Sequence, residues 1–276
     1  MTSRDLEIID GAVVGSWIGP RLGGKFGAVT RQVPKDFEAY ARVFHPAFDR
    51  QRHPVRWAQV AKVCGTMPHR EMQWHAILGL RSVSELRGSY YPNDGSGVKW
   101  IGSDALVGTM NIKTLDALCE IIANRSDDAT HCFFGLCTIE GWLDSFSTET
   151  MPPLLELPYD RTHIVLTGPL SAVDQIVDDL IAVASNQIVL VGKHNQDPSG
   201  QPDSAQPLQR KAPNLIWPAD KSWFVATDVD FDSTLVGGSI ALIDAVVEAS
   251  SLEAWHVRPT DSLADDADKV NVVNNS

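Results

Sequence analysis

A chain of 276 residues is long enough for one large domain or two small ones, and 43% hydrophobic with 21% charged residues is an ordinary globular composition. No apolar run approaches the ~20 residues needed to span a bilayer, so no membrane partner is expected. The net charge of −12 repels a polyanion, so nucleic acid is not expected as a partner either.

The charge is unevenly placed. Residues 1–100 hold 14 Lys/Arg and 9 Asp/Glu, whereas residues 101–276 hold 9 and 26. A basic surface is therefore confined to the N-terminal third, around Arg50, Arg52, Arg56, Lys62 and Arg70. Packing of this third against the acidic remainder accounts for it more simply than a phosphate-binding face does. The opening MTSRDLEIIDGAVVGSWIGP carries Asp5, Glu7 and Asp10 and no continuous apolar stretch, so it is not expected to be a signal peptide. The four cysteines (Cys64, Cys119, Cys132, Cys137) form no C-x-x-C pair and read as buried thiols of a cytoplasmic protein.

Taken in chain order, the first 30 residues are Gly-rich and apolar and suggest short strands and turns. In DFEAYARVFHPAF the apolar set Phe37, Tyr40, Ala41, Phe44 falls at i, i+3, i+4, i+7 and predicts a helix ended by Pro46. The set Trp57, Val60, Ala61, Cys64 predicts another, stopped by Gly65, and REMQWHAIL a third. The turn-rich SYYPNDGSGVKW, 89–100, marks a boundary.

Strands and helices then alternate. Helices are expected around Leu115, Leu118, Cys119 and Ile122; along Leu170 to Ile181; and around Ile240, Ile243 and Val247. Strands are expected in HCFFGLCTI, THIVLTG, QIVLVG, SWFVATDV and EAWHV. Residues 193–214 lack any period and are expected to be an exposed loop, and the tail 261–276 to be flexible. The segments GPLSAVDQIVDD and GSIALIDAVVEA align without gaps, and TLDALCEI matches their helical half. Each of the three carries an acidic i, i+4 pair, which amphipathic patterning explains more cheaply than duplication.

The fold class expected is α+β, with a helical N-terminal third (residues 1–90) followed by a mixed, largely antiparallel sheet with packed helices (100–260), as two regions or one continuous domain.

Two motifs invite a catalytic reading. Asp230-Phe-Asp232-Ser-Thr234-Leu235 has the D-x-D-x-T-L pattern of a haloacid-dehalogenase-type phosphatase loop. That chemistry also needs a Lys and a second acidic pair downstream, yet only Lys269 follows, and Thr227 and Asp228 interrupt the strand leading in. The alternating Asp228, Asp230 and Asp232 fit one exposed face of an antiparallel strand turning at Asp232-Ser233. Gly19-Pro-Arg-Leu-Gly-Gly-Lys25 resembles a P-loop, but Phe26 replaces the Mg²⁺-binding hydroxyl and Pro34 closes a β-branched run where a helix should start. The histidine pair His69/His75 lies ~120° apart on a helix and cannot share a metal. Among eight tryptophans, Trp217 in LIWPAD is the best candidate for an exposed or groove-lining ring.

The stretches FEAYARVFHPA, WAQVA, EMQWHAI, HCFFGLCTIEGW, NLIWPADKSWFVATDVDFDSTLVGGS and LEAWHV, in that order, resemble a family of uncharacterised soluble bacterial proteins. The likeness spans roughly residues 26–260 and is most specific in NLIWPADKSWFVATDVDFDSTLVGG. The family has no assigned activity, so the resemblance supplies no catalytic residue or cofactor. It sets the D-x-D-x-T stretch within a longer W-P-A-D signature, unlike a phosphatase loop.

The function expected is therefore a non-enzymatic binding or protein-interaction module with a protein or small-molecule partner. Its site is placed at Trp217, Asp220, Asp228, Asp230 and Asp232. The alternative is a metal-dependent phosphoryl-transfer or hydrolytic enzyme using the D-x-D stretch at 228–232. A further anion site is conceivable at Arg50, Arg52, His53 and Arg56.

Overall fold

The computed structural model describes residues 6–87, 91, 97–126, 128–140, 151–176 and 212–272. In chain order the elements are β1 (Glu7–Ile9), α1 (Gly11–Val14), α2 (Val29–Gln32), β2 (Ala39–Phe44), β3 (Ala47–Phe48), β4 (Pro54–Val55), α3 (Trp57–Cys64), α4 (Trp74–Ile77), α5 (Ile112–Ala123), β5 (Cys132–Cys137), β6 (Leu155–Leu157), β7 (Arg161–Gly168), β8 (Leu215–Pro218), β9 (Phe224–Ala226), β10 (Ser233–Gly238), α6 (Ile240–Glu248) and β11 (Ala254–Val257).

Nine strands form one sheet in the order β1-β7-β5-β8-β9-β10-β2-β11, with β6 also paired to β7. Every pairing is antiparallel. β1 and β6 lie end to end along one side of β7, opposite Val165–Thr167 and Arg161–His163 respectively. The protein is thus α+β around a large antiparallel sheet.

The sheet is covered on both faces, which explains why its central strands are apolar runs rather than alternating ones. Phe134 and Leu136 of β5, Ile164 and Leu166 of β7, and Val225 and Val236 turn to one side, where Leu115, Leu118 and Ile122 of α5 and Leu242, Ile243 and Val246 of α6 pack on them. On the opposite side Phe133, Val165, Leu215, Trp217, Phe224 and Leu235 meet Ile18, Val29 and Val33 of the N-terminal segment. A satellite cluster forms beyond the end of β2, where Phe44, Trp57, Trp74 and Met72 pack together.

The expected helical N-terminal third is not what forms. Residues 39–44 are a strand, β2, inserted between β10 and β11. Its apolar positions mimic a helical period because both of its faces are buried. Arg42, which a helix would have offered to solvent, is instead fully buried; it bonds Ser233 Oγ at 2.8 Å, the Met72 carbonyl at 2.9 Å and Asp232 at 3.3 Å. REMQWHAIL yields only the four residues of α4.

Other expectations hold. α3 ends at Gly65, whose φ of 79° is the left-handed conformation that glycine adopts freely. α5 and α6 begin at the side-chain caps Asn111 and Ser239. HCFFGLCTI, THIVLTG, SWFVATDV and EAWHV contribute β5, β7, β9 and β11. QIVLVG, residues 193–211 of the expected loop and the end (177–181) of the helix expected along Leu170 to Ile181 lie outside the described residues.

The tail is folded down as far as residue 272. Asp261, Leu263 and Asp268 are buried, and the Asp268 carboxylate takes His69 Nε2 at 2.9 Å and the Asn271 amide. Among the described residues no helix is long and apolar enough to cross a membrane.

Candidate functional site

At the sheet end where β7 and β8 begin and β9 finishes, a pocket of ≈ 240 Å³ opens. Its walls come from five places far apart in the chain: the segment Leu22–Gln32, the end of β5 at Cys137, the β6–β7 turn running into the start of β7, the start of β8, and the loop between β9 and β10. That volume lies below the ~300–1,000 Å³ of sites for drug-sized ligands, which suits a small occupant.

The β9–β10 connection, residues 227–232, is a hairpin loop, as the antiparallel register of Ala226 opposite Leu235 requires. Its shape is set locally: the Asp228 carboxylate accepts the Asp230 N–H at 3.0 Å. Gly108 braces the loop from outside by donating to the Phe231 carbonyl at 2.9 Å. With φ of 77° and a Cβ position 2.8 Å from the Val229 carbonyl oxygen, this position has room only for glycine.

The three aspartates do not share one face. Asp228 receives a forked pair of bonds from Arg161, Nε and Nη2 at 3.1 Å each, and Asp230 takes the same Nη2 at 2.5 Å. Asp232 lies on another side of the loop, against Arg42. The Arg161 guanidinium is therefore held by two carboxylates through Nε and Nη2, and its hydrogen bonds to Asp228, ahead of the other effects, raise its already high pKa.

Deeper in the wall, two side chains stand unpaired. Neither Oε1 nor Nε2 of Gln32 has a hydrogen-bond partner, although the residue is only 7% exposed. His163, at 3% exposure, leaves its Nδ1 without one. Burial lowers the His163 pKa to about 4, against the pull of Asp228, so the ring is neutral near pH 7. The nearby Arg161 backbone favours the charged ring slightly but does not reach hydrogen-bond geometry at Nδ1.

The rim is aromatic and cationic. Tyr159 and Asp160 take φ of 71° and 59° in the β6–β7 turn, a left-handed pair that costs about 1–2 kcal/mol per non-glycine residue. The turn sets the Tyr159 ring under Arg31, whose guanidinium carbon lies 3.4 Å from the ring centroid and 5.6 Å from that of Phe26. Phe26 is 56% exposed and leans on Phe231 across the mouth.

A buried hydrogen-bond chain reaches the pocket from inside. His45 Nδ1 faces the Leu106 carbonyl at 2.8 Å and Nε2 faces Thr234 Oγ1 at 2.9 Å; Thr234 in turn meets Thr227 Oγ1 at 2.7 Å. Burial lowers the His45 pKa to about 4, so this ring is neutral as well. Its one proton must then sit on Nδ1, since a carbonyl only accepts. Nε2 accepts from Thr234, Thr234 accepts from Thr227, and Thr227 Oγ1 is left as a pure acceptor on the pocket wall.

The sequence-derived site is thus divided. Asp228 and Asp230 line the pocket, but Trp217 is fully buried beneath the sheet, stacked with Phe224 at 5.9 Å and beside Phe133 at 5.5 Å. Asp220 is exposed in the β8–β9 turn, at the opposite end of β8 from Leu215 on the pocket wall, where it accepts the Ser222 N–H. Arg50, Arg52, His53 and Arg56 are all exposed around the β3–β4 turn and the start of α3. His53 is held by Asp49 at 3.3 Å. The α3 N-terminus beside them is already filled: Glu253 takes the N–H groups of Trp57 and Ala58 at 2.6 and 2.8 Å.

Arg31, Gln32, Tyr159, Arg161, His163 and Thr227 were not singled out from sequence. The one signal among them was His163, a histidine inside the apolar run of β7. Among the described residues no cluster of three or more His, Cys, Asp or Glu could hold a metal ion. No protein-family model, curated protein or solved structure matches the chain.

Proposed function

We propose that this chain is a non-enzymatic binding protein whose ligand is a small polar molecule held in the pocket between α2, the β6–β7 turn and the β9–β10 loop. The observation that carries this reading is the Gln32 carboxamide, buried with both of its polar atoms unbonded in a residue that lines the cavity. Each such orphaned group costs about 1–3 kcal/mol, and a fold retains that cost most readily where a ligand removes it. His163 repeats the pattern on the same wall.

The D-x-D stretch supports binding over phosphoryl transfer. Asp228 and Asp230 hold Arg161 in place, and an acceptor carboxylate or a metal site would need those same oxygens. Cytoplasmic residence and kinship with the uncharacterised bacterial family belong to the same proposal. The absence of a disulfide among the four cysteines is consistent with the former.

A thermal-melt panel of metabolites, run on the wild type, Gln32→Met and Asp230→Asn, tests the reading. A ligand at 100 times its Kd adds about 2.7 kcal/mol. The shift should vanish in Gln32→Met and persist, weakened, in Asp230→Asn, whose side chain is 53% exposed. Shifts that survive Gln32→Met, or silence across the whole panel, would remove the proposal.

A further inference from the structure

Resting on that reading of the pocket, we infer the class of its ligand: a small carboxylate that carries a planar primary amide or ureido group. Three wall groups specify it. Among the described residues Arg31 is paired with no carboxylate, whereas Arg161 holds two. Stacking on Tyr159 occupies the face of the Arg31 guanidinium and leaves its in-plane N–H donors open, the geometry that receives a carboxylate through two parallel bonds. Arg31 therefore supplies a built position for one anionic group.

The neutral part of the ligand is read by Gln32 and Thr227. A carboxamide with both ends unbonded is completed by a group offering one N–H and one C=O side by side, which is the edge of a primary amide or a ureido group, where an N–H lies cis to the C=O. Thr227 Oγ1 has its proton committed to Thr234 and can only accept, so the group facing it must be a donor. A hydroxyl or amine meets the Thr227 requirement but leaves one end of Gln32 unpaired. A primary amide or ureido group, with two or more N–H donors and one C=O, satisfies both. Phe26 at the mouth gives such a planar group an apolar surface to lie against.

The test is calorimetric titration of the full chain with matched probes: N-carbamoylglycine and succinamate, which carry both features; butanoate, with the carboxylate alone; and propanamide, with the primary amide alone. The two-feature probes should bind at least ten times more tightly than either single-feature probe. Arg31→Met should cost them at least tenfold while leaving propanamide unchanged, and Thr227→Val should weaken every amide-bearing probe but not butanoate. Arg31→Lys, which keeps the charge but not the forked geometry, should fall between; it also guards against a folding defect in Arg31→Met. Equal binding of butanoate and succinamate, or indifference to Arg31→Met, would overturn the class. If none of these probes binds while another panel compound gives a Gln32-dependent shift, the ligand class is wrong and the binding reading stands. Silence from every compound overturns both.

Discussion

Two fully buried neutral histidines make the stability of this protein depend on pH well above the range in which carboxylates usually titrate. His45 and His163 ionise near pH 4 in the fold, and near 6.5 when the chain is unfolded and burial no longer acts. A histidine with a depressed folded pKa contributes full stability above about pH 6.5, because neither state is then protonated. As pH falls through the window between 6.5 and 4, the unfolded chain takes up protons that the folded one refuses, and stability declines. Below about pH 4 the loss levels off. Each histidine loses about 1.6 kcal/mol between pH 6.5 and 5, so the pair loses about 3 kcal/mol, a large share of a typical domain's 5–15 kcal/mol. His75, lowered chiefly by burial, acts in the same direction. Asp232 and Glu253, raised chiefly by burial, act in the opposite one. The assay is urea unfolding followed by tryptophan fluorescence at pH 7.5, 6.5, 5.5 and 5.0. His163→Asn should reduce the slope by about half, as one of two titrating rings. Unfolding free energies that stay level from pH 6.5 to 5.0 would refute the assignment of these rings as buried and neutral.

Two further substitutions probe the frame around the site. Arg42→Met strands the Asp232 carboxylate and two backbone carbonyls, and should cost about 3–5 kcal/mol in urea unfolding; adding Asp232→Asn should return part of it. Glu253→Ala uncaps α3 and should cost about 1–2 kcal/mol, with thermal unfolding as the measurement.

What could be read in the sequence follows from how local each signal is. α3, α5 and α6 were legible because an amphipathic stripe and its caps lie within a dozen residues of one another. β5 and β7 were legible as apolar runs between polar turns. β2 was not. A strand buried on both faces has no alternation to display, and the buried Arg42 gave it a false polar side whose partner Asp232 lies 190 residues away. The site shows the same limit. D-x-D drew attention to a loop that lines the pocket, but what its aspartates contact is decided by Arg161, brought to them by sheet register. Gln32 is unremarkable among its neighbours in sequence; only burial without partners marks it. Trp217 looked exposed because LIWPAD is followed by a turn, yet β8 is a central strand and its rings face the second core.

The most direct measurement is the unfolding free energy of ligand-free Gln32→Met against the wild type. Methionine has nearly the shape of glutamine and no polar atoms to leave unpaired. If the pocket reserves Gln32 for a ligand, the variant gains about 1–3 kcal/mol while losing ligand-induced stabilisation. A loss of stability of similar size would show that the carboxamide serves the fold itself, and would contradict the account.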